Sequence, residues 1–158
     1  MASTASPREH AADADADAAH RHLLFGVAGR LYACEVALVR EIVPFRRCTR
    51  LPGAPSYVAG LINLRGTVVT VLDLGLRLAG EPANRDEGAV ILVERAGRLV
   101  GLGVDELRDL QVVSPAAVEA ADASGAADGT GAVRGVVRVG GEVVVLLDVG
   151  SIVTHALR

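Results

Sequence analysis

Two charged side chains interrupt the most apolar run in the first half of the chain. The segment GLINLRGTVVTVLDLG, residues 60–75, carries Arg65 and Asp73 eight positions apart. An arginine and a carboxylate held together could bind a substrate and act on it by acid–base chemistry. Such a site needs a further group nearby, such as a histidine, a second carboxylate or a metal ligand. Because no histidine lies between His22 and His155, the sequence offers no base for a serine or cysteine nucleophile.

Two segments of the chain recur in the same order. Residues 28–42 align with residues 96–110 at an offset of 68, and residues 60–75 align with residues 135–150 at an offset of 75. The offsets differ only through loop length, which indicates an internal duplication. Short apolar segments bounded by glycine or proline are typical of strands in barrels and sandwiches. The sequence therefore predicts a mainly all-β protein of two similar small barrels, related by an approximate two-fold axis and carrying short helical segments.

The duplication gives Asp73 a counterpart, Asp148, at the end of the equivalent strand. Each aspartate precedes a short amphipathic segment, LGLRL in the first repeat and VGSIV in the second. An aspartate at such a position accepts hydrogen bonds from the first N–H groups of a helix and interacts favourably with the helix dipole. A catalytic site rarely requires two symmetric copies of one carboxylate, so we expect both residues to be helix caps.

Arg65 is not repeated, because its partner in the second repeat is Gly140. Turn geometry explains the glycines that follow, Gly66 and Gly141. The chain has no GxxxxGK[ST] motif and no GxGxxG motif that opens a helix after a strand, so a phosphate loop is not expected. Two interpretations of Arg65 remain open. It is either a solvated turn residue or an exposed fork of donors that binds an acidic or backbone-carbonyl partner.

A second candidate surface lies on the segment ALVREIVPF, where Val39 and Ile42 flank Glu41. The segment is predicted to be a strand that stops at Pro44, since proline cannot donate a hydrogen bond to a sheet. The two apolar side chains either belong to the core or form a contact surface around one acid. The sequence leaves both possibilities open.

Composition limits the classes of protein to which the chain could belong. It has 158 residues, 51% of them hydrophobic and 3% aromatic, with no lysine and a net charge of −3. Few rings are available to stack on bases, and no excess positive charge is available for phosphates, so we expect no nucleic-acid partner. Cys34 and Cys48 form no CxxC motif and have no histidine nearby, which predicts two reduced thiols and no metal site.

The sequence gives no indication of a membrane anchor. Residues 1–22 are rich in Ala, Asp and His and contain no bulky aliphatic residue after Met1, which predicts a disordered extension and no signal peptide. No run approaches the roughly 20 apolar residues of a membrane-spanning helix. We therefore expect a cytoplasmic protein that does not insert directly into a membrane.

Three segments together resemble a known family, the CheW-like domains of bacterial chemotaxis adaptors. They are LPGAPSYVAGLINLRGTVVTVLDLGLRL, GLGVDELRDLQVV and VVVLLDVGSIV, and the resemblance extends over about residues 23–153. It implies two five-stranded SH3-like barrels around a shared hydrophobic core, in a domain spanning residues 23–158. We expect the first barrel to occupy approximately residues 23–86 and the second approximately residues 87–158.

The resemblance also implies a function and a set of contact residues. Family members are non-enzymatic and link methyl-accepting chemotaxis receptors to the regulatory domain of a CheA-type histidine kinase. The chain would then work without a cofactor, in the cytoplasm, recruited to membrane-associated receptor arrays. The predicted partner-binding residues are Val39, Glu41, Ile42, Asn63, Leu64, Arg65 and Gly66.

Other functions remain as alternatives. A CheW-like adaptor of a non-flagellar pathway, such as twitching motility or surface sensing, would use the same chemistry with a different receptor. A small ligand-binding β-barrel or hydrolase would require a pocket with convergent polar groups, for which the sequence gives no indication. A nucleic-acid-binding barrel is disfavoured by the lack of aromatic residues and of positive charge.

Overall fold

The computed structural model describes residues 20–120 and 131–156. Most of these residues lie in short strands, as the apolar segments bounded by glycine and proline predict. The strands are β1 (Arg21–Val27), β2 (Arg30–Glu35), β3 (Val39–Pro44), β4 (Val58–Leu64), β5 (Thr67–Asp73), β6 (Ala89–Arg95), β7 (Arg98–Val104), β8 (Glu106–Val112), β9 (Glu119–Ala120), β10 (Val133–Val139) and β11 (Glu142–Leu147). The helices are α1 (Leu74–Ala79) and α2 (Val149–Ala156), with 3₁₀ turns at Val36–Leu38 and Pro115–Ala117.

The strands form two sheets, each curved into a small barrel. Barrel A has the strand order β8-β1-β2-β11-β10-β9, and barrel B has the order β3-β6-β7-β5-β4. Neighbouring strands are antiparallel except for β2 with β11 and β5 with β7, which are parallel. The mainly-β architecture of two similar barrels is therefore as predicted.

The strand pairing does not follow the predicted division into residues 23–86 and 87–158. Barrel B contains the consecutive strands β3 to β7, whereas barrel A combines β1 and β2 with β8 to β11. Each barrel thus combines the first hairpin of one repeat, β1–β2 or β6–β7, with the later strands of the other repeat. The exchange follows from four pairings that each join a strand of one repeat to a strand of the other. They are β1 with β8 and β2 with β11 in barrel A, and β3 with β6 and β5 with β7 in barrel B.

The register of the parallel strands confirms the duplication. Tyr32 of β2 lies opposite Val145 of β11, and Val100 of β7 lies opposite Thr70 of β5. These two pairs are related by the same offsets, 68 and 75, that the sequence shows. A register shift also occurs at the equivalent place in the β1–β8 pair and in the β3–β6 pair. The repeats are therefore equivalent in strand order, in register and in irregularity.

Within residues 20–120 and 131–156, barrel B has the predicted five strands and barrel A has six. The additional strand is β9, which pairs with Gly135 and Val136 of β10. At the equivalent place in barrel B, Thr49 makes a single bridge to Leu61, with N–H to carbonyl distances of 2.9 and 2.8 Å in the two directions. The bridge requires Gly60, which has a φ of +138°, because a Cβ there would lie 2.2 Å from the carbonyl oxygen of Thr49.

Apolar side chains form one cluster inside each barrel and a third cluster between the barrels. The cluster between the barrels includes Phe25 and Tyr32 from barrel A, Leu72 and Leu102 from barrel B, and Ile152 from α2. These residues are the shared hydrophobic core that the resemblance implies. Because branched aliphatic side chains fill most of it, little aromatic content is needed.

A single carboxylate connects the two barrels at one end. The Asp105 carboxylate accepts hydrogen bonds from the N–H of Ala28, at 2.7 Å, and from the N–H of Asn84, at 2.6 Å. Ala28 lies in the β1–β2 turn of barrel A, and Asn84 lies in the loop that leads into β6 of barrel B. The residue equivalent to Asp105 in the first repeat is Ala37, so this contact occurs once.

The described residues also bear on the predictions for the N-terminus, the membrane and the cysteines. Strand β1 begins at Arg21, two residues before the predicted domain boundary, and the rest of the predicted extension, residues 1–19, lies outside the described residues. Between residues 20 and 120 and from 131 to 156, no helix is long and apolar enough to cross a bilayer. Both cysteines are free thiols, and burial raises the pKa of Cys34 to about 12.

Candidate partner-binding surface

Residues Asn63 to Gly66 form the tight turn between β4 and β5. Arg65 and Gly66 both have left-handed backbone conformations, with φ of +50° and +87°. This conformation is typical of two-residue hairpin turns, because its twist matches that of the strands. The side-chain oxygen of Asn63 accepts a hydrogen bond from the N–H of Gly66 at 2.9 Å. A left-handed conformation is unfavourable for arginine relative to glycine. Ala28 and Ala96 have the same conformation at two other turns, with φ of +51° and +52°, so the fold tolerates it.

The Arg65 side chain forms a two-pronged ion pair with Glu41. Nη1 donates to Oε1 at 3.0 Å, and Nη2 donates to Oε2 at 2.5 Å. Glu41 lies on β3 and Arg65 follows β4, and these are the two edge strands of barrel B. Closure of the barrel brings the two edges together, so the ion pair spans them. The structure thus unites two residues that the sequence singled out separately.

The ion pair orients the guanidinium without removing it from solvent. The Arg65 side chain is 70% exposed, and the Glu41 side chain is 35% exposed. The hydrogen bonds from Arg65 hold the pKa of Glu41 below its usual value, and the same bonds raise the pKa of Arg65. Both groups therefore stay charged at neutral pH. Because guanidinium carries five N–H donors, donors remain that can bind a carboxylate or a carbonyl group of a partner.

The other predicted contact residues differ in exposure. Ile42 is 40% exposed, whereas Val39 is half-buried and packs against the core between the barrels. Leu64 is only 4% exposed and belongs to the core of barrel B, so its side chain is not available to a partner. Alternation along β4 explains this, because Ile62 and Leu64 point inward and Asn63 points outward. Asn63 and Gly66 are exposed at the turn.

An apolar surface that the sequence reasoning missed adjoins the Arg65 turn. Val68 is 64% exposed and Leu51 is 45% exposed, and both line a cleft of about 680 Å³. The cleft runs from the Leu51–Pro55 loop to the β6–β7 turn, and Arg98 is the charged residue among the described residues that line it. The sequence of β5 indicates this exposure, because successive side chains of a strand point to opposite faces. Val68 therefore faces away from the buried Val69 and Val71.

Asp73 and Asp148 are helix caps, as predicted. The Asp73 carboxylate accepts a hydrogen bond from the N–H of Leu76 at 3.1 Å, and Asp148 accepts one from the N–H of Ser151 at 3.0 Å. Asp73 is fully buried and makes further contacts that were not predicted from the sequence. It accepts hydrogen bonds from the N–H of Ala83, at 3.0 and 3.2 Å, and forms an ion pair with Arg85 at 3.2 Å.

The possible acid–base pair of Arg65 and Asp73 does not exist as a site. Arg65 is exposed at the turn and paired with Glu41, whereas Asp73 is buried at the other end of β5 and bound to backbone N–H groups. Among the described residues, no group of three or more His, Cys, Asp or Glu side chains is placed to hold a metal ion.

Comparisons with known proteins show the family to which the chain is similar. The family model described as CheW-like domain matches residues 21–157 of the chain. A chemotaxis protein CheW of Rhizobium meliloti is 32% identical over 133 residues, which cover 82% of this chain and 84% of the relative. Protein PilI of Pseudomonas aeruginosa is 33% identical over 88 residues, covering 55% of this chain and 49% of that protein. The crystal structure of the scaffolding protein TtCheW from Thermoanaerobacter tengcongensis matches with a TM-score of 0.73 and 26% identity, over 82% of this chain and 84% of that one.

Proposed function

The chain belongs to the family of CheW-like domains, and we propose that it is a non-enzymatic adaptor that couples methyl-accepting chemotaxis receptors to a CheA-type histidine kinase. The observation that carries the proposal is the exposed Arg65 guanidinium, oriented by Glu41 on a rigid turn. An exposed and oriented guanidinium that occurs in only one repeat is best explained by a contact with another protein.

The physical basis of coupling is that two rigid barrels can hold two proteins at once. The Arg65 turn lies on barrel B, beside the cleft whose lining includes the exposed apolar residues Leu51 and Val68. Exposed apolar side chains supply contact area, and the oriented guanidinium supplies a directional contact. A second set of exposed apolar residues, Leu110 and Val112, lies on edge strand β8 of barrel A. We place receptor binding at the Arg65 turn and its ion pair with Glu41. The adaptor would act in the cytoplasm at the receptor array.

The test is co-assembly of the purified chain with a receptor cytoplasmic fragment and the kinase. We expect Arg65→Glu to lower the affinity for the receptor at least tenfold, because it places a second carboxylate beside Glu41 and removes the donors. Arg65→Ala should have a smaller effect. Both variants should keep the circular-dichroism spectrum of the wild type, since the side chain is 70% exposed. Sedimentation of the assemblies and kinase activity are the measurements.

The matched control is Arg30→Glu, which makes the same charge change at an exposed arginine of barrel A. It should leave receptor affinity unchanged. If Arg65→Glu assembles with receptor and kinase as well as the wild type does, the assignment of Arg65 fails. A general loss in both variants would point to net charge as the cause.

A second candidate is the same adaptor role in a non-flagellar pathway, such as twitching motility or surface sensing. One observation favours this candidate: the matched relative PilI carries a name other than chemotaxis protein. The two pathways can be distinguished by a pull-down from the native cell, read by mass spectrometry. The wild type and the Arg65→Glu variant serve as baits. The receptor that is enriched with the wild type alone identifies the pathway.

A further inference from the structure

Barrel A has an open cleft at the place where barrel B has the Arg65–Glu41 ion pair. Gly140 occupies the position equivalent to Arg65, and Asp109 occupies the position equivalent to Glu41. The backbone is nearly the same at the two turns, with φ of +57° at Gly140 and +50° at Arg65. Barrel A therefore keeps the acid and the turn, and it lacks a guanidinium at the turn position.

The cleft is large enough for a side chain of that size. Its volume is about 440 Å³, and it lies between β8 and the β10–β11 turn. Its lining includes Leu107, Asp109, Gln111, Val139, Gly140 and Glu142. A Cβ added to Gly140 would have no atom within 4 Å, so nothing replaces the missing side chain.

The charged groups around the cleft leave Asp109 available. The closest partner of its carboxylate is Nε2 of Gln111, at 3.4 Å, among the described residues. Arg108 lies 3.8 Å from both Glu106 and Glu142, so the one arginine that lines the cleft is oriented towards these glutamates. Glu41, in contrast, accepts two hydrogen bonds of 3.0 and 2.5 Å from Arg65.

We propose that this cleft binds an arginine side chain presented by a partner protein, with Asp109 as the acceptor. The inference rests on the proposed function, since it requires that the chain binds proteins. Barrel B supplies the template, because the equivalent acid there binds a guanidinium through both oxygens. Arginine is favoured over lysine because its planar fork matches a carboxylate, and because Leu107 and Val139 give apolar surface to its methylene stem.

The experiment is an NMR titration of the ¹⁵N-labelled chain with N-acetyl-arginine methylamide. The neutral isostere N-acetyl-citrulline methylamide is the control ligand. We expect saturable shifts of the amides of residues 107–111 and 139–142 with the arginine compound, and at least tenfold weaker binding of the citrulline compound. Equal binding of the two compounds, or shifts spread over all surface carboxylates, would overturn the proposal.

A second experiment repeats the titration with variants of the cleft residues. Asp109→Asn should weaken binding of the arginine compound at least fivefold. Gly140→Arg should abolish it, because an arginine supplied by the chain itself would occupy the cleft. Gly140→Ala is the matched control, since it places a Cβ in the same backbone conformation without a guanidinium, and it should bind like the wild type. Binding that survives in Gly140→Arg contradicts the proposal.

The two proposals can fail separately. Arg65→Glu should leave the titration with the arginine compound unchanged, because Arg65 lies on the other barrel. If the wild type does not bind the arginine compound while receptor assembly depends on Arg65, the cleft proposal alone fails. If the arginine compound binds at Asp109 while assembly ignores Arg65, only the receptor assignment fails.

Discussion

Barrel A and barrel B are two versions of one scaffold, and they differ mainly where side chains reach solvent. Their strands pair in equivalent registers, with equivalent irregularities and equivalent capping aspartates. At the hairpin turn, however, barrel B has Arg65 and barrel A has Gly140. What both copies keep is explained by folding. A residue that only one copy has needs its own explanation, which is a contact within the chain for Asp105 and, as we propose, a contact with a partner for Arg65. The duplication thus acts as an internal control for assigning function to single residues.

The edge strands show the same contrast. On β3 of barrel B, Ile42 is the large apolar side chain that is exposed. On β8 of barrel A, Leu107, Leu110 and Val112 are all exposed, at 38%, 49% and 66%. Edge strands usually carry charges or bulges that block further pairing. The more apolar edge of barrel A therefore offers a contact surface of different character from the charged turn of barrel B.

The largest expected effect comes from the two caps, which look equivalent in the sequence. Asp73→Ala should lower the free energy of unfolding by about 3 kcal/mol, because it removes a cap and leaves the buried N–H of Ala83 without an acceptor. Asp148→Ala should cost about 1 kcal/mol, since half-buried Asp148 provides the cap alone. Urea denaturation of the two variants measures the difference. Equal losses would show that the contacts of Asp73 with Ala83 and Arg85 add nothing.

An exchange of charges tests whether the ion pair serves folding or recognition. The double variant Glu41→Arg with Arg65→Glu restores opposite charges across the two edge strands. We expect the melting temperature to stay within a few degrees of the wild type, because exposed ion pairs contribute little to stability. Receptor affinity should stay about tenfold reduced, which corresponds to about 1.4 kcal/mol. Full recovery of affinity in the double variant would show that the pair acts only by bracing the barrel.

The smallest effect is a change in the titration of one carboxylate. In the wild type, hydrogen bonds from Arg65 hold the pKa of Glu41 below its usual value. The ion pair is therefore present above the usual glutamate pKa of about 4.3, and it is lost as the pH falls through the lowered value. In Arg65→Ala the midpoint should rise towards the usual value. An NMR pH titration of the Glu41 side-chain carboxyl carbon measures this midpoint. Identical midpoints in the wild type and the variant would show that Arg65 and Glu41 are not hydrogen-bonded in solution.

Much of the fold could be predicted from the sequence because its signals are local. Turn residues such as Ala28 and Gly66 separate apolar segments of strand length, and two repeats at offsets of 68 and 75 imply two similar units. The caps Asp73 and Asp148 were predicted from the same repetition. The burial of Leu64 can also be predicted from the sequence, because apolar and polar side chains alternate at Ile62, Asn63 and Leu64 of β4.

The features that could not be predicted depend on contacts between distant segments. A repeat shows that two hairpins are alike, and it does not show which barrel each hairpin joins. Likewise, the pairing of Glu41 with Arg65 depends on closure of barrel B, which brings its edge strands together. The ties from Asp105 to Ala28 and Asn84 depend on how the barrels pack, and Asp105 has no repeated counterpart to draw attention to it.

The exchange of hairpins has a consequence for the order in which the barrels can form during synthesis on a ribosome. Once Val104 has emerged from the exit tunnel, every strand of barrel B is available to pair. The hairpin β1–β2 is made first, yet its partners β8 and β11 are made only after the strands of barrel B. Its apolar side chains, Phe25 among them, must wait until β11 has been made or pack against barrel B in the meantime. Translation therefore delivers barrel B first and leaves barrel A open until its last strand, ending at Leu147, has been made.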